Sequence, residues 1–281
     1  MQSVAFAASD GFALGGTLFR PPSASRASVV IHAASGVRQE YYAKFATYLA
    51  GRGLTTLTFD YRGIGRSRPA SLQGFNARMR DWATLDAAGA LAFLERETNG
   101  APVSVVGHSF GGQCLGLIPG HERYRALLAV ASQSGYWRYW RGAGRAGMWL
   151  ATHVVLPGAS KLLGYFPARR LGQGEDLPAG VATEWASWCR HPGYLVGALG
   201  AESQYSRITL PIRAVWIADD AYAPLPAVRA LLGFYPASPG ELLEVHPRLV
   251  GAGRIGHFGF FRERFRDTLW KPAAEWLLEK S

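Results

Sequence analysis

A serine flanked by glycines follows a short apolar run near the middle of the chain. Residues 102–106 read Pro-Val-Ser-Val-Val, and Gly107-His108-Ser109-Phe110-Gly111 comes directly after them. Glycines beside a serine allow a sharply bent, strained backbone between a strand and a helix, which leaves the hydroxyl exposed. The N–H groups and the dipole of a helix over the small residues 112–117 would stabilise negative charge that develops during acyl transfer. Ser109 is therefore predicted to be a nucleophile rather than a serine that only caps a helix.

A serine hydroxyl needs a base that removes its proton, and a histidine held by a carboxylate is the usual solution. His257 lies in the glycine-rich residues 253–259, after the last predicted strand, where a base can reach back to Ser109. His246, at the end of that strand, is the second choice. The other five histidines either adjoin the serine or precede the strand expected to carry the acid: His32, His108, His121, His153 and His191.

The carboxylate that orients the base is expected after the apolar residues 214–218. Asp219 and Asp220 follow them side by side, and neighbouring side chains point in different directions. Asp220 is favoured as the acid, with Asp219 as a turn or capping residue, but the residues alone leave both open.

Two backbone N–H groups are expected to bind the oxyanion. One belongs to Phe110, the residue after the nucleophile, and the other to the loop after the third strand. Ala34, in His32-Ala33-Ala34-Ser35-Gly36, is the predicted second donor.

Strands and helices alternate along most of the chain, which predicts a mostly parallel sheet with helices on both faces. An initial hairpin adds an antiparallel edge. The predicted strands are 3–8, 12–19, 28–32, 54–59, 102–106, 126–131, 212–218 and 242–246. The predicted helices are 41–50, 81–97, 224–234 and 258–280, the last with a kink at Pro272.

A stretch of roughly 80 residues separates two of these strands and is too long and too apolar for a plain loop. It predicts a helical cap over residues 133–206, inserted between two parts of the core, 1–132 and 207–281. Tyr136, Trp137, Trp140 and Trp185 are the aromatic residues expected to line a substrate pocket in it.

Composition narrows the functional classes. The net charge is +10, but the cations are spread along the chain and belong to no nucleic-acid-binding motif, so no nucleic-acid partner is expected. No apolar run is long enough for a membrane segment, and the first ten residues lack the basic start of a signal peptide, so a cytoplasmic protein is expected. Cys114 and Cys189 are expected to be free thiols, and no residue pattern calls for a metal or an organic cofactor.

Several motifs resemble those of the α/β-hydrolase superfamily, in the branch that contains serine aminopeptidases and monoglyceride lipases. Residues 60–67, Asp-Tyr-Arg-Gly-Ile-Gly-Arg-Ser, resemble its D-x-R-G-x-G-x-S loop, and residues 220–224 resemble its D-x-x-x-P acid turn. The resemblance implies the α/β-hydrolase fold and makes Asp220 the acid. The branch usually has H-G-x where this chain has His32-Ala33-Ala34. Residues 171–178 and 256–262 also resemble a group of bacterial predicted hydrolases without an assigned substrate.

These observations predict a serine hydrolase that forms an acyl-enzyme on Ser109. The expected substrate is a small-molecule carboxylic ester with an apolar or aromatic portion, and a thioester would use the same groups. The first alternative is a serine aminopeptidase, whose pocket for the substrate amine would draw on Glu175, Asp176, Glu184 and Glu202. A more distant alternative is a non-catalytic ligand-binding protein on the same fold.

Overall fold

The computed structural model describes residues 1–281 and contains one central sheet of eight strands. The strands are β1 Gln2–Ala7, β2 Ala13–Phe19, β3 Ala27–His32, β4 Leu54–Phe59, β5 Val103–His108, β6 Tyr124–Val130, β9 Ile212–Ile217 and β10 Gly240–Val245. Their order in the sheet is β1-β2-β4-β3-β5-β6-β9-β10, with β1 and β2 antiparallel to their neighbours and all other pairs parallel. A separate pair, β7 Tyr165–Phe166 and β8 Leu177–Pro178, is antiparallel. The predicted mostly parallel sheet with an antiparallel edge is confirmed.

The central strands are buried along their whole length, as expected for a parallel sheet covered on both faces. Every residue of β3, β4 and β5 is buried. The register pairs His32 with Gly107 and His108 with Val130, so the carboxyl ends of β3, β5 and β6 meet at one edge. The loops predicted to carry the chemistry leave the sheet at this edge.

Helices connect most of the parallel strands and pack against the sheet. The helices are α1 Ala43–Gly51, α2 Met79–Asp81, α3 Ala88–Glu97, α4 Gly142–Leu150, α5 Leu156–Leu163, α6 Ala179–Arg190, α7 Tyr194–Leu199, α8 Glu202–Ser206, α9 Leu225–Leu232, α10 Gly256–Gly259 and α11 Lys271–Glu279. Short π-helical stretches join α2 to α3 at 82–87 and α4 to α5 at 151–155, and another precedes α11 at 266–270.

The predicted helix after Ser109 is wrong. Residues 109–112 and 115–117 form two separate 3₁₀ turns instead. The Gln113 carbonyl, which would accept the Leu117 N–H in an α-helix, accepts the Tyr205 hydroxyl at 2.7 Å, and Leu117 N–H donates to Cys114. Glycines are weak helix formers, so this competing tertiary bond decides the local structure. A long helix dipole therefore does not point at Ser109.

The C-terminal segment is also not the single kinked helix that the sequence predicts. It is divided into α10, a 3₁₀ turn at 263–265, the π-helical stretch and α11. Pro272 is the second residue of α11 and directly follows the π-helical stretch, in which the Lys271 N–H donates to the Arg266 carbonyl.

Residues 133–206, here called the inserted segment, lie between β6 and β9 and hold α4 to α8 with the β7-β8 pair. The function of the inserted segment as a cap stays a prediction. No helix in the chain combines the length and apolar character that crossing a membrane requires.

Candidate active site

The turn after β5 holds Ser109 in a backbone conformation that few non-glycine residues adopt. Its φ is +50°, in the left-handed region. The glycines around it are required by close contacts: a Cβ at Gly107 would lie 2.4 Å from the Cα of Gly112, and one at Gly111 would lie 2.1 Å from the His32 carbonyl oxygen. This packing against β3 keeps the turn strained and leaves Ser109 9% exposed at the strand end.

The structure brings His257 and Asp220 together. His257, on α10, donates its Nδ1–H to Asp220 Oδ2 at 2.7 Å. The other carboxylate oxygen, Oδ1, accepts the Tyr222 N–H at 2.8 Å, which fixes the plane of the carboxylate. With Nδ1 protonated, Nε2 of the neutral ring is free to accept a proton.

Asp219 supports the same loop through different contacts. Its two carboxylate oxygens accept the backbone N–H groups of Ile255 and Gly256 at 2.9 and 3.0 Å. Gly256 has a φ of +64°, a conformation that suits glycine. Asp219 therefore secures the backbone that carries His257, while Asp220 contacts the ring. His246, the second choice for the base, instead faces Glu244 across 3.8 Å.

A buried chain of hydrogen bonds runs behind the strand end. The N–H of Ala34 donates to the Tyr42 hydroxyl at 2.9 Å, and that hydroxyl donates to His108 Nδ1 at 2.8 Å. His108 Nε2–H then donates to the His257 carbonyl at 3.0 Å. Burial, with His257 close by, holds the pKa of His108 well below its usual value, so this ring stays neutral.

This chain of bonds changes the interpretation of the predicted oxyanion site. The Ala34 N–H is engaged by a protein oxygen, so in this arrangement it does not face the reacting centre as a free donor. Phe110 lies in the first turn after the strained serine, where N–H groups lack partners within the turn. Its ring packs edge-on against Tyr61 and Trp82, which holds this backbone in place.

A cleft of about 370 Å³ opens beside the histidine. The rings of Tyr222 and Phe258 lie 5.2 and 5.1 Å from the His257 ring. The cleft is lined by Gly36, Val37, Arg38, Tyr41, Gly172, Gln173, Gly174, Glu175, Tyr222 and Phe258. The lining therefore combines the inserted segment, the segment after β3, the turn after Asp220 and α10.

The four aromatic residues predicted to line the substrate pocket do not line this cleft. Trp140 Nε1–H donates to the Ala221 carbonyl at 3.0 Å, and Trp185 Nε1–H donates to the Tyr194 hydroxyl at 3.0 Å. Tyr136 and Trp137 contact each other's rings. A buried indole N–H requires a hydrogen-bond acceptor, and Trp140 and Trp185 each find that acceptor within the protein.

The glycine-rich loop after β4 holds the framework around the site. The buried Asp60 carboxylate accepts the N–H groups of Gln39 and Arg66 at 2.8 and 2.9 Å. Arg62 binds the buried Asp86 and, through its other nitrogens, Asp10. This loop thus positions the segment after β3 and contributes no side chain to the cleft.

Sequence reasoning did not identify Tyr42 and Tyr222, and it considered His108 only as a base. Tyr42 stands in no recognised motif, and its contact with His108 joins residues far apart in the sequence. Tyr222 lies within the acid turn itself, and its position there was the one available signal. No group of three or more His, Cys, Asp or Glu side chains is arranged to hold a metal ion, and Cys114 and Cys189 are buried free thiols.

Comparison with known proteins identifies the family. The model of the alpha/beta hydrolase family matches residues 29–270. No curated protein sequence matches the chain. Among solved structures, the monoacylglycerol lipase of Paleococcus ferrophilus is 16% identical, with a TM-score of 0.62, and the match covers 95% of this chain and 99% of that one.

Two further structures are similar over nearly the whole chain. Est1E from Butyrivibrio proteoclasticus, solved with ferulic acid bound, is 16% identical with a TM-score of 0.65, and 98% of each chain is covered. An esterase of Pyrococcus furiosus is 13% identical with a TM-score of 0.65, covering 99% of this chain and 91% of that one. At such identities these structures support the fold alone. The family match extends over most of the sheet and includes the strained serine and the His257–Asp220 pair, and so the chain belongs to the alpha/beta hydrolase family.

Proposed function

We propose that the protein is a serine hydrolase that cleaves a carboxylic ester through an acyl-enzyme on Ser109. The observation that carries this proposal is the 2.7 Å hydrogen bond between His257 and Asp220, at the same sheet edge as a serine with a φ of +50°. A strained serine after a parallel strand and a histidine oriented by a carboxylate are the parts that acyl transfer requires.

In the proposed reaction, the Ser109 oxygen attacks the ester carbonyl while His257 Nε2 accepts the serine proton. The imidazolium that forms is stabilised by Asp220, which also keeps Nδ1 protonated throughout. The protonated Nε2 then donates to the leaving alcohol, and the acyl group stays on Ser109. Water attacks the acyl-enzyme with His257 again as base, which releases the carboxylic acid and restores the serine. A thioester would follow the same steps with a thiol as leaving group.

Two donors for the oxyanion remain part of the proposal. The Phe110 N–H is the first. The Ala34 N–H is the second, and it reaches the substrate oxygen only by exchanging its bond to the Tyr42 hydroxyl. Substrate oxygen and tyrosine hydroxyl therefore compete for one donor.

The cleft beside His257 favours a substrate with an apolar or aromatic portion. Val37, Tyr41, Tyr222 and Phe258 line it with apolar surface. Residues 172–175 close one side, which supports the interpretation of the inserted segment as a cap. The aromatic acid bound in the Est1E structure is consistent with this class of ligand.

The ion pairs of the inserted segment argue against the aminopeptidase alternative. Such an enzyme needs an unpaired carboxylate to bind the substrate amine. Glu175 is bonded to Arg169 at 2.5 Å, Asp176 faces Arg68 at 3.6 Å, and Glu184 is bonded to Arg80 at 2.5 Å. Of the four acids considered, only Glu202, which is exposed on α8, has no ion-pair partner.

Hydrolysis of p-nitrophenyl esters of increasing acyl length tests the proposal. The wild type is expected to hydrolyse at least the short members, and Ser109→Ala and His257→Ala are each expected to abolish that activity. A fluorophosphonate probe should label the wild type and not Ser109→Ala. Folded wild-type protein that neither turns over any ester nor reacts with the probe would favour the non-catalytic alternative. Turnover of aminoacyl amides without ester turnover would favour the peptidase.

A further inference from the structure

The outward face of one helical rod in the inserted segment is apolar. Helix α4, the π-helical stretch 151–155 and α5 run without a break from residue 142 to residue 163. Leu150, Val154 and Leu162, spaced four and eight residues apart, lie on one side of it. Their exposed fractions are 49%, 49% and 84%. Val155 and Trp149 extend this exposed surface, which we call the outer face.

From residue 152 onwards the same rod has a buried side, whereas α4 contains no buried residue. Thr152, Leu156 and Ser160, also four residues apart, are buried against the rest of the protein. Packing within the chain therefore accounts for the inner side and leaves the outer face without a partner. Contiguous exposed apolar side chains on one element indicate an interaction surface.

The charged residues in this part of the sequence all have one sign. No acidic residue occurs between Glu122 and Glu175. The cations of this region include the exposed Arg138, Arg141, Arg145 and Lys161. None of these four takes part in an ion pair. Arg145 donates to the carbonyls of Trp140 and Arg138, and none of the four cations is neutralised by an acidic side chain.

We propose that the outer face binds the surface of an anionic lipid bilayer, with the rod lying in the interface. Apolar side chains on one face with unpaired cations beside them match a layer of hydrocarbon below negative headgroups. Trp149, stacked on His153, lies at the edge of the apolar surface, and indole rings favour that boundary. A nucleic acid would meet the cations but would gain nothing from Leu150, Val154 and Leu162.

Side-chain contacts link the rod to the acid turn. The His153 ring contacts Trp137, and Trp140 is bonded to the Ala221 carbonyl, next to Asp220. The rod is thus connected to the acid turn through a few direct contacts. This inference goes beyond the proposed hydrolysis and does not depend on it, because surface binding needs no reactive serine.

Flotation with large unilamellar vesicles tests the proposal. The wild type is expected to float with vesicles of equal phosphatidylglycerol and phosphatidylcholine, and much less with phosphatidylcholine alone or at 0.5 M salt. The triple variant Leu150→Ser/Val154→Ser/Leu162→Ser should bind more than about tenfold more weakly, since each serine removes apolar surface that would enter the bilayer. Trp149 emission should shift to the blue on binding.

Two controls distinguish binding through the outer face from nonspecific hydrophobic adsorption and from any effect of hydrolysis. Leu249→Ser removes a leucine that is 80% exposed outside the inserted segment, beside β10, and should bind like the wild type. Ser109→Ala should also bind like the wild type, while the triple variant should hydrolyse a soluble ester at the wild-type rate. Absence of vesicle binding by the wild type would overturn the proposal. Equal vesicle binding by the wild type and the triple variant would also overturn it. So would a dimer that buries Leu162 and does not bind vesicles.

Discussion

Replacement of the two adjacent carboxylates by amides should have very different effects on catalysis. In Asp220→Asn, the Tyr222 N–H still needs an acceptor at the position of Oδ1, so the amide oxygen stays there. The amide NH₂ must then occupy the position of Oδ2 and donate to His257 Nδ1. The proton of the neutral ring is then held on Nε2, so Nε2 can no longer accept the Ser109 proton. Loss of the correct tautomer costs about 10⁴-fold in kcat in enzymes with this arrangement, or about 5.4 kcal/mol of barrier.

Asp219→Asn removes support rather than a reacting group. The carboxylate accepts two backbone N–H groups, and an amide retains one acceptor oxygen and presents an NH₂ to the other donor. We expect a loss of about 1–3 kcal/mol in unfolding free energy. Displacement of the loop that carries His257 should lower kcat by roughly 10- to 100-fold, far less than Asp220→Asn.

Steady-state hydrolysis of p-nitrophenyl butyrate, with active sites counted by fluorophosphonate titration and stability measured by urea unfolding, distinguishes the two effects. The expected pattern is a large loss of kcat at a nearly unchanged stability for Asp220→Asn, and a modest loss of kcat at reduced stability for Asp219→Asn. The reasoning would be refuted if Asp220→Asn kept more than a tenth of the activity. Equal losses in two equally stable variants would refute it as well.

Four further substitutions have effects that follow from the same structure. Tyr42→Phe leaves the Ala34 N–H and a buried ring nitrogen without their partner, so the unfolding free energy should fall by about 1–3 kcal/mol. Its kcat should stay within about threefold of the wild type, because the freed N–H can meet the oxyanion, and a hundredfold loss would mean that the hydroxyl itself serves the reacting oxygen. Gly111→Ala places a methyl group 2.1 Å from a carbonyl oxygen and should abolish ester hydrolysis or folding. Gly147→Ala, with open space around it on α4, should be neutral or slightly stabilising in thermal unfolding. Burial lowers the pKa of His32 to about 3, so the unfolded chain binds its proton more readily and stability falls as pH drops below about 6.5. His32→Leu should therefore remove about 1.4 kcal/mol per pH unit from the acid-side slope in urea unfolding, and an unchanged slope would contradict this assignment.

The positions of the strands followed from the sequence because their signals are local. Short runs of five or six residues rich in β-branched and apolar side chains correspond to the buried strands β3, β4 and β5, and β4 was predicted with its observed bounds. The helix after the serine failed for the opposite reason. Its glycines have little helical preference of their own, and the Tyr205 hydroxyl, far away in the sequence, takes the carbonyl that a helical turn would use.

The positions of the aromatic side chains in the inserted segment were likewise not predictable from local sequence. Composition led to the prediction that they line a substrate pocket, but no periodicity distinguishes an indole facing a cleft from one facing its neighbours. In the structure, Trp140 and Trp185 direct their N–H groups to the Ala221 carbonyl and the Tyr194 hydroxyl. The cleft is lined by Tyr41, Tyr222 and residues 172–175 of a glycine-rich loop, whose composition resembles that of any surface turn.

By itself, the sequence determined the strained serine turn and the order in which the candidate nucleophile, acid and base occur. These depend on glycine sterics and on the alternation of strands and helices, which act over a few residues. The residues favoured Asp220 and the family resemblance implied it, but only the tertiary structure showed its bond to His257 and the contacts by which Tyr42 and His108 join the loop after β3 to that histidine. Such choices depend on side-chain directions set by packing between strands that are distant in the chain, and no local pattern carries that information.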